Sequence, residues 1–283
     1  MLCFHIGLPK TATTFLQWEV LPQLAGAELI HREQGTARDR AWLNNLKRRC
    51  ITGRRKRWWL RRLWHGQALR ARLRAGATVI VSNENISMTP NGIWTGDGPG
   101  PGTVATRLAA AAGELGVPAS RVRILFGLRA QAPWLASRYA ESAKSNPDFD
   151  QADFARRITA VAEGTAQGAP LEWLDYAHVH DGLAGVFGAD NLLFLPLEAV
   201  REMSAAECRG RIAAFLDLPQ APQRPAALSE ALRRNVSARA EGGWRLKSGA
   251  GHIELTPALE AAITARFAAA NAGLHARTGI ALP

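Results

Sequence analysis

The chain has 283 residues, 47% of them hydrophobic, with 35 Lys and Arg against 24 Asp and Glu. That is enough apolar material for one large α/β domain or two small ones, and it excludes a disordered protein. No apolar run approaches the ~18 residues of a membrane-spanning helix. "MLCFHIG" lacks the basic start and long apolar stretch of a signal peptide. The three cysteines, Cys3, Cys50 and Cys208, are odd in number and show no C-x-x-C spacing. This points away from a disulfide framework or a zinc site and makes a reducing cytoplasm the expected compartment.

The formal net charge of +11 is unevenly placed. From Lys47 to Arg62, "KRRCITGRRKRWWLRR" holds nine basic residues and no acidic one. Such a patch attracts polyanions: nucleic acid, acidic glycans, anionic lipid or a phosphorylated cofactor.

In chain order, "LCFHIG" (2–7) reads as a buried strand. "TTFLQWEVLPQL" (13–24) reads as a helix, with apolar residues at 15, 16, 20, 21 and 24 and Pro22 ending or kinking it. Residues 36–75 form a largely helical basic insertion, with Trp58, Trp59 and Trp64 among its apolar content. "ATVIVS" (77–82) is the second strand. "NGIWTGDGPGPG" (91–102) reads as a Gly/Pro loop without helix or strand. A helix (103–115), a strand (121–128) and a helix (132–143) with Pro near its first turn follow. Helices over 150–164 and 171–188, a strand over 191–197, and helices over about 204–216 and 257–276 complete the chain. Strands apolar throughout, alternating with helices, predict a mainly parallel sheet covered on both faces. No repeat or long linker is visible, so residues 1–283 read as one domain.

The tip of the first strand carries the chemistry. In "FHIGLPKTATTFLQ", Gly7 allows close backbone approach, Pro9 stiffens the loop, Lys10 supplies a point charge, and Thr11, Thr13 and Thr14 add hydroxyls. A strand-to-helix turn with these parts is a phosphate cradle. It is not the common P-loop: five and six positions after Gly7 stand Ala12 and Thr13, where that motif needs Gly and Lys. A nucleotide kinase therefore becomes a rival reading only.

The stretch Pro9-Lys10-Thr11-Ala12-Thr13-Thr14-Phe15-Leu16 resembles the 5′-phosphosulfate loop of sulfotransferases, of bacterial type, that use 3′-phosphoadenosine 5′-phosphosulfate (PAPS). Ala12 stands where that loop usually has Gly. A second motif agrees. Arg129 follows a strand, Ser137 lies eight positions on in the next helix, and Tyr139 stands two further, as in the family's R-x7-S-x-Y. A guanidinium gives bidentate phosphate recognition, and a helix hydroxyl can reach the same oxygens.

The resemblance implies a three-layer α/β/α, P-loop-NTPase-like sulfotransferase fold, PAPS as donor, PAP as product, and no metal requirement. It makes Gly7, Pro9, Lys10, Thr11, Ala12, Thr13, Thr14, Arg129 and Ser137 cofactor-binding residues. Lys10 would neutralise the leaving oxygen. Glu84, after the second strand, is the first candidate for the general base, with His178 and His180 in "YAHVH" as rivals. His5 reads as a residue supporting the loop. Arg234, Asn235 and Ser237 carry a weaker expectation, because the family's R-K-G-x-x-G string is absent. "NLLFLPLEAV" is similar to the family's late strand and Glu-containing turn. The acceptor would be a hydroxyl: a saccharide first, a lipid or small molecule next, and the basic segment would suit an anionic one.

Two other readings rest on residues 47–64. Tryptophans among basic residues suit single-stranded nucleic acid, but no nucleic-acid motif accompanies them. A basic helix also suits peripheral contact with an anionic membrane.

Overall fold

The apolar runs do form parallel strands. A computed structural model describes residues 1–53, 59–89, 91–219, 239–240, 243–249 and 251–282. Its main sheet holds β1 (Leu2–Gly7), β2 (Ala27–Ile30), β3 (Thr78–Ser82), β4 (Val122–Leu128) and β5 (Leu192–Pro196), in the order β2-β3-β1-β4-β5. Every pairing in it is parallel.

Side chains alternate across the sheet with the strand period of two. Leu2, Phe4 and Ile6 of β1 join Val79, Val81, Ile124 and Phe126 in one buried cluster, together with Trp134 and Trp173. Cys3 joins Ile80, Leu125 and Leu195 on the other face, against Phe15, Leu16, Val20 and Ile212. Both faces are therefore dry, which makes three layers. Burying each such large side chain contributes about 1.5–3 kcal/mol.

The helices are α1 (Thr13–Phe15), α2 (Ala37–Thr52), α3 (Trp59–Arg74), α4 (Gly92–Thr95), α5 (Pro101–Glu114), α6 (Gln131–Ser142), α7 (Gln151–Ala162), α8 (Tyr176–Phe187), α9 (Leu197–Glu202), α10 (Ala205–Phe215) and α11 (Pro257–Thr278). Their ends follow local chemistry. Thr36 and Asp39 form a reciprocal capping box at the start of α2, and Gly53 closes it at φ 66°. α11 opens on a Thr256 cap with Pro257 at its first turn. The basic stretch 36–75 forms the helices α2 and α3, and 54–58 of it lie outside the described residues. All three cysteines are buried free thiols. Among the described residues no helix is long and apolar enough to cross a membrane.

Four local expectations are corrected. The run 13–24 is not one helix: α1 passes into a π-helical turn over Leu16–Val20 and a 3₁₀ turn over Leu21–Gln23 that holds Pro22. The loop 91–102 contains the short helix α4, and α5 begins at Pro101, because Pro is tolerated where a helix N–H has no partner anyway. The run 171–188 breaks at Asp175. Its backbone is extended, and its side chain accepts from the His178 N–H, ending a 3₁₀ turn over Ala169–Leu174 and starting α8.

The fourth correction adds strands. Edge strand β2 falls outside the predicted strands, being four residues with a solvent-facing Glu28. So does a small antiparallel sheet of β6 (Arg239–Ala240), β7 (Gly243–Arg245) and β8 (His252–Ile253). Strands of two or three residues leave no periodic signal.

Candidate active site

The loops leaving β1 and β4 diverge. β1 connects toward β2 on one side of the sheet, and β4 connects toward β5 on the other. The crevice at the carboxyl ends of two such strands is where open α/β sheets bind ligands. The loop 8–12 and the residues after β4 meet there.

Two glycines make the meeting possible. Gly7 and Gly127 are paired in register, and Gly7 has φ 136°. A Cβ on Gly7 would lie 2.3 Å from the Gly127 carbonyl oxygen. The Leu8 N–H donates to that oxygen at 2.9 Å, the Thr11 hydroxyl donates to the Leu8 carbonyl at 2.6 Å, and the Gly7 N–H donates to Ser87 Oγ at 3.2 Å. From the other side, the buried Trp134 indole N–H donates to the Pro9 carbonyl at 2.7 Å.

Within this frame Lys10 and Ala12 both hold left-handed backbone, at φ 69° and φ 63°. Ala12 is the N-cap of α1, with ψ 19°. A chain that steps between left- and right-handed conformations turns successive N–H groups toward one concavity, a nest for anions. The helix that follows leaves its first N–H groups without intrahelical acceptors. Left-handed backbone costs a non-glycine residue roughly 1–2 kcal/mol. The Ala12 substitution is therefore a strained one, and the surroundings hold it.

Lys10 is about a third exposed, and its ammonium donates to Glu141 Oε2 at 2.9 Å. Glu141 Oε1 accepts from Lys144 at 2.6 Å. Burial by itself would raise the Glu141 carboxyl. The hydrogen bonds from Lys144 and Lys10 outweigh it and bring the group down to about 2. Arg138, the neighbour of Ser137 on α6, is buried. Burial lowers its affinity for the proton, against the opposing fields of Glu141 and Glu84.

Glu84 opens a 3₁₀ turn directly after β3, capped by the Asn83 side chain. Its Oε2 lies 3.4 Å from Gln17 Nε2, which also donates to Ser82 Oγ at 2.9 Å. Ser82 Oγ lies 2.7 Å from His5 Nδ1. Burial pushes His5 down to about 4, so it is neutral near pH 7. The π-helical turn lets Gln17 face inward while Trp18, 42% exposed, faces solvent. π-turns of this kind recur at functional sites.

Arg129 and Ser137 sit where the spacing predicts, at the end of β4 and in the second turn of α6, where Ser137 is buried. The Tyr176 hydroxyl donates to the Arg129 carbonyl at 2.5 Å, and Glu198 Oε1 accepts from the Ala130 N–H at 3.2 Å. Those two contacts fix the turn that carries Arg129. Tyr139 instead belongs to the core: it stacks on Phe149, and its hydroxyl donates to Asp153 at 2.8 Å.

His178 and His180 have their contacts elsewhere. His178 lies 3.6 Å from Glu172, and buried His180 packs near Phe194 with Nδ1 3.1 Å from Asp181. Arg234, Asn235 and Ser237 lie outside the described residues. Sequence reasoning passed over Glu141, Arg138, Gln17 and Trp134. Only Glu141 left a signal: it stands four residues after Ser137, on the same helix face.

No protein-family model and no curated protein sequence matches the chain. Among solved structures it is similar to a sulfotransferase from Alicyclobacillus acidocaldarius, with a TM-score of 0.56. The match covers 99% of this chain and 96% of that one, at 14% identity. The chain has the sulfotransferase fold. A mouse sulfotransferase, SULT7A1, complexed with PAP, aligns over 83% of this chain and 63% of its own, at TM-score 0.40 and 13% identity. At 14% identity to the Alicyclobacillus protein the fold is shared while few side chains are, so the site must be judged on its own residues.

Proposed function

We propose that the protein is a PAPS-dependent sulfotransferase of bacterial type, moving a sulfuryl group to an acceptor hydroxyl. One observation carries this reading: two non-glycine residues, Lys10 and Ala12, are held left-handed in the loop after β1. Strain of that kind persists where the surroundings over-determine it, and it clusters at ligand clamps. The cradle fits a 5′-phosphosulfate, and Arg129 with Ser137 fits a 3′-phosphate.

PAPS, when bound, supplies the activated sulfuryl group. The chain's own work is positioning and charge stabilisation, as in phosphoryl transfer. The N–H groups of residues 11–14, with the Thr13 and Thr14 hydroxyls, bind the 5′-phosphate. Lys10 brings an ammonium to the oxygen on which charge builds, and loss of such a donor costs roughly 3–4 kcal/mol of barrier. Glu84, oriented by Gln17, takes the acceptor's proton. It stands two residues past the carboxyl end of β3, whereas His178 and His180 lie on α8 with contacts to Glu172 and Asp181.

A saccharide hydroxyl is the first acceptor to try, then a lipid or small-molecule alcohol. The helices α2 and α3 carry much of the basic segment and would favour an anionic acceptor or an anionic membrane surface. Buried free thiols suit a reducing cytoplasm.

The test is calorimetric titration with PAP in metal-free buffer, on wild type and Arg129→Ala, with turnover measured for Lys10→Ala. Micromolar binding that Arg129→Ala weakens, and transfer that Lys10→Ala nearly abolishes, support the reading. Absence of PAP binding rejects it and turns attention to the basic segment 47–64, while binding of ATP only with Mg²⁺ favours a kinase.

A further inference from the structure

The ammonium at the mouth of the cradle is already engaged. Lys10 Nζ donates to Glu141 Oε2 at 2.9 Å, so its charge is neutralised before any anion arrives. Glu141 is a full carboxylate throughout the physiological range, because its two lysine partners hold it far below the usual carboxylate pKa. An anion entering the cradle must compete with this carboxylate for the same cation.

The fold does not need the pair. The loop is anchored independently by Trp134 on the Pro9 carbonyl, by Thr11 on the Leu8 carbonyl and by Leu8 on the Gly127 carbonyl. A part-exposed ion pair adds little stability, on the order of 0–1 kcal/mol. The pair is also built to be exchanged. Glu141 keeps Lys144 on its other oxygen at 2.6 Å, and it is 23% exposed, so release of Lys10 strands no buried charge. Glu141 follows Ser137 by one helical turn on the same face of α6. The helix that would hold the 3′-phosphate thus also carries the competitor for Lys10.

We infer that Glu141 is a positioning residue for Lys10, holding the ammonium in reserve on α6 and yielding it to the phosphate of the bound nucleotide. This rests on the sulfotransferase reading above. Its consequence is that apparent nucleotide affinity is lowered by the fraction of protein in which Lys10 is parked, as for any ligand that binds only a competent state. Glu141 touches neither acceptor nor donor in this scheme; it acts through Lys10.

A double-mutant cycle read by PAP calorimetry tests it. Glu141→Gln keeps the shape and a hydrogen-bond acceptor but removes the competing charge. In the wild-type background it should tighten PAP binding roughly three- to tenfold, the range of a part-exposed ion pair. In the Lys10→Ala background the same change should alter Kd by less than about twofold, because the coupling partner is gone. Equal tightening in both backgrounds would mean that Glu141 merely repels phosphate, and would overturn the positioning role. No tightening with Lys10 present overturns it too. If wild type binds no PAP, the sulfotransferase reading itself fails and this inference goes with it.

Discussion

Gly7 and Gly127 face each other in register across β1 and β4, with no room for a Cβ on Gly7: it would come within 2.3 Å of the Gly127 carbonyl. Gly7 also sits at φ 136°, a region that side chains avoid. Gly7→Ala should therefore cost about 3 kcal/mol or more, from overpacking plus backbone strain. Chemical denaturation reads this directly. A stability within 1 kcal/mol of wild type, as a rough bound, would mean the two strands can part without penalty.

Ala12 at φ 63° is the converse case. Ala12→Gly removes the left-handed penalty and should stabilise the folded protein by up to about 1 kcal/mol, offset by the greater freedom of Gly when unfolded. Thermal melting is the measurement. PAP affinity should be unchanged, since the N–H groups stay where they are.

Glu84→Gln should lower kcat by about 10²–10⁴-fold with little change in PAP affinity, the signature of a lost general base. Steady-state kinetics with an active acceptor, paired with calorimetry, separates the two effects. A kcat near wild type would move the role to another group.

Trp134→Phe keeps an aromatic ring in the core but deletes the 2.7 Å bond to the Pro9 carbonyl and leaves a small cavity at a fully buried position. A buried bond of this kind is worth about 1 kcal/mol net, and more where the acceptor is left unpaired. The variant should melt earlier and bind PAP more weakly, although Trp134 itself reaches no phosphate. A melting point unchanged from wild type would show that the loop is anchored without this bond.

His5 sets an acid limit. Its folded pKa, near 4, lies below the ordinary histidine value of 6.5 because the ring is buried. Between those values the unfolded chain binds a proton that the folded chain refuses, so stability rises with pH across that window. It falls as pH drops from about 6.5 to 4, by about 3 kcal/mol in all. Denaturation curves across pH 4–8 should show this slope, and His5→Asn should flatten it.

Much of the candidate site is proposed from the sequence alone. Lys10, Arg129 and Ser137 declare themselves because each stands at a fixed offset from a strongly apolar strand, and strand ends fix where a neighbouring side chain can be. Glu84 follows from the same rule. Glu141 and Gln17 did not declare themselves. Their roles depend on contacts to residues 131 and 67 positions away along the chain, and local pattern carries no record of such contacts.

By itself, the sequence determined the four apolar strands, most of the helices between them and the Gly-Leu-Pro-Lys-Thr make-up of the loop after β1. Apolar runs must be buried, and loop residues such as Gly, Pro, Lys and Thr are chosen locally. The tertiary structure alone decided that Ala12 is left-handed, that Tyr139 turns into the core, and that β2 adds an edge. It also decided that Lys10 rests on Glu141. Each of these depends on which surfaces meet when helices pack on a sheet, and the free energy of that meeting is shared among residues far apart in the chain.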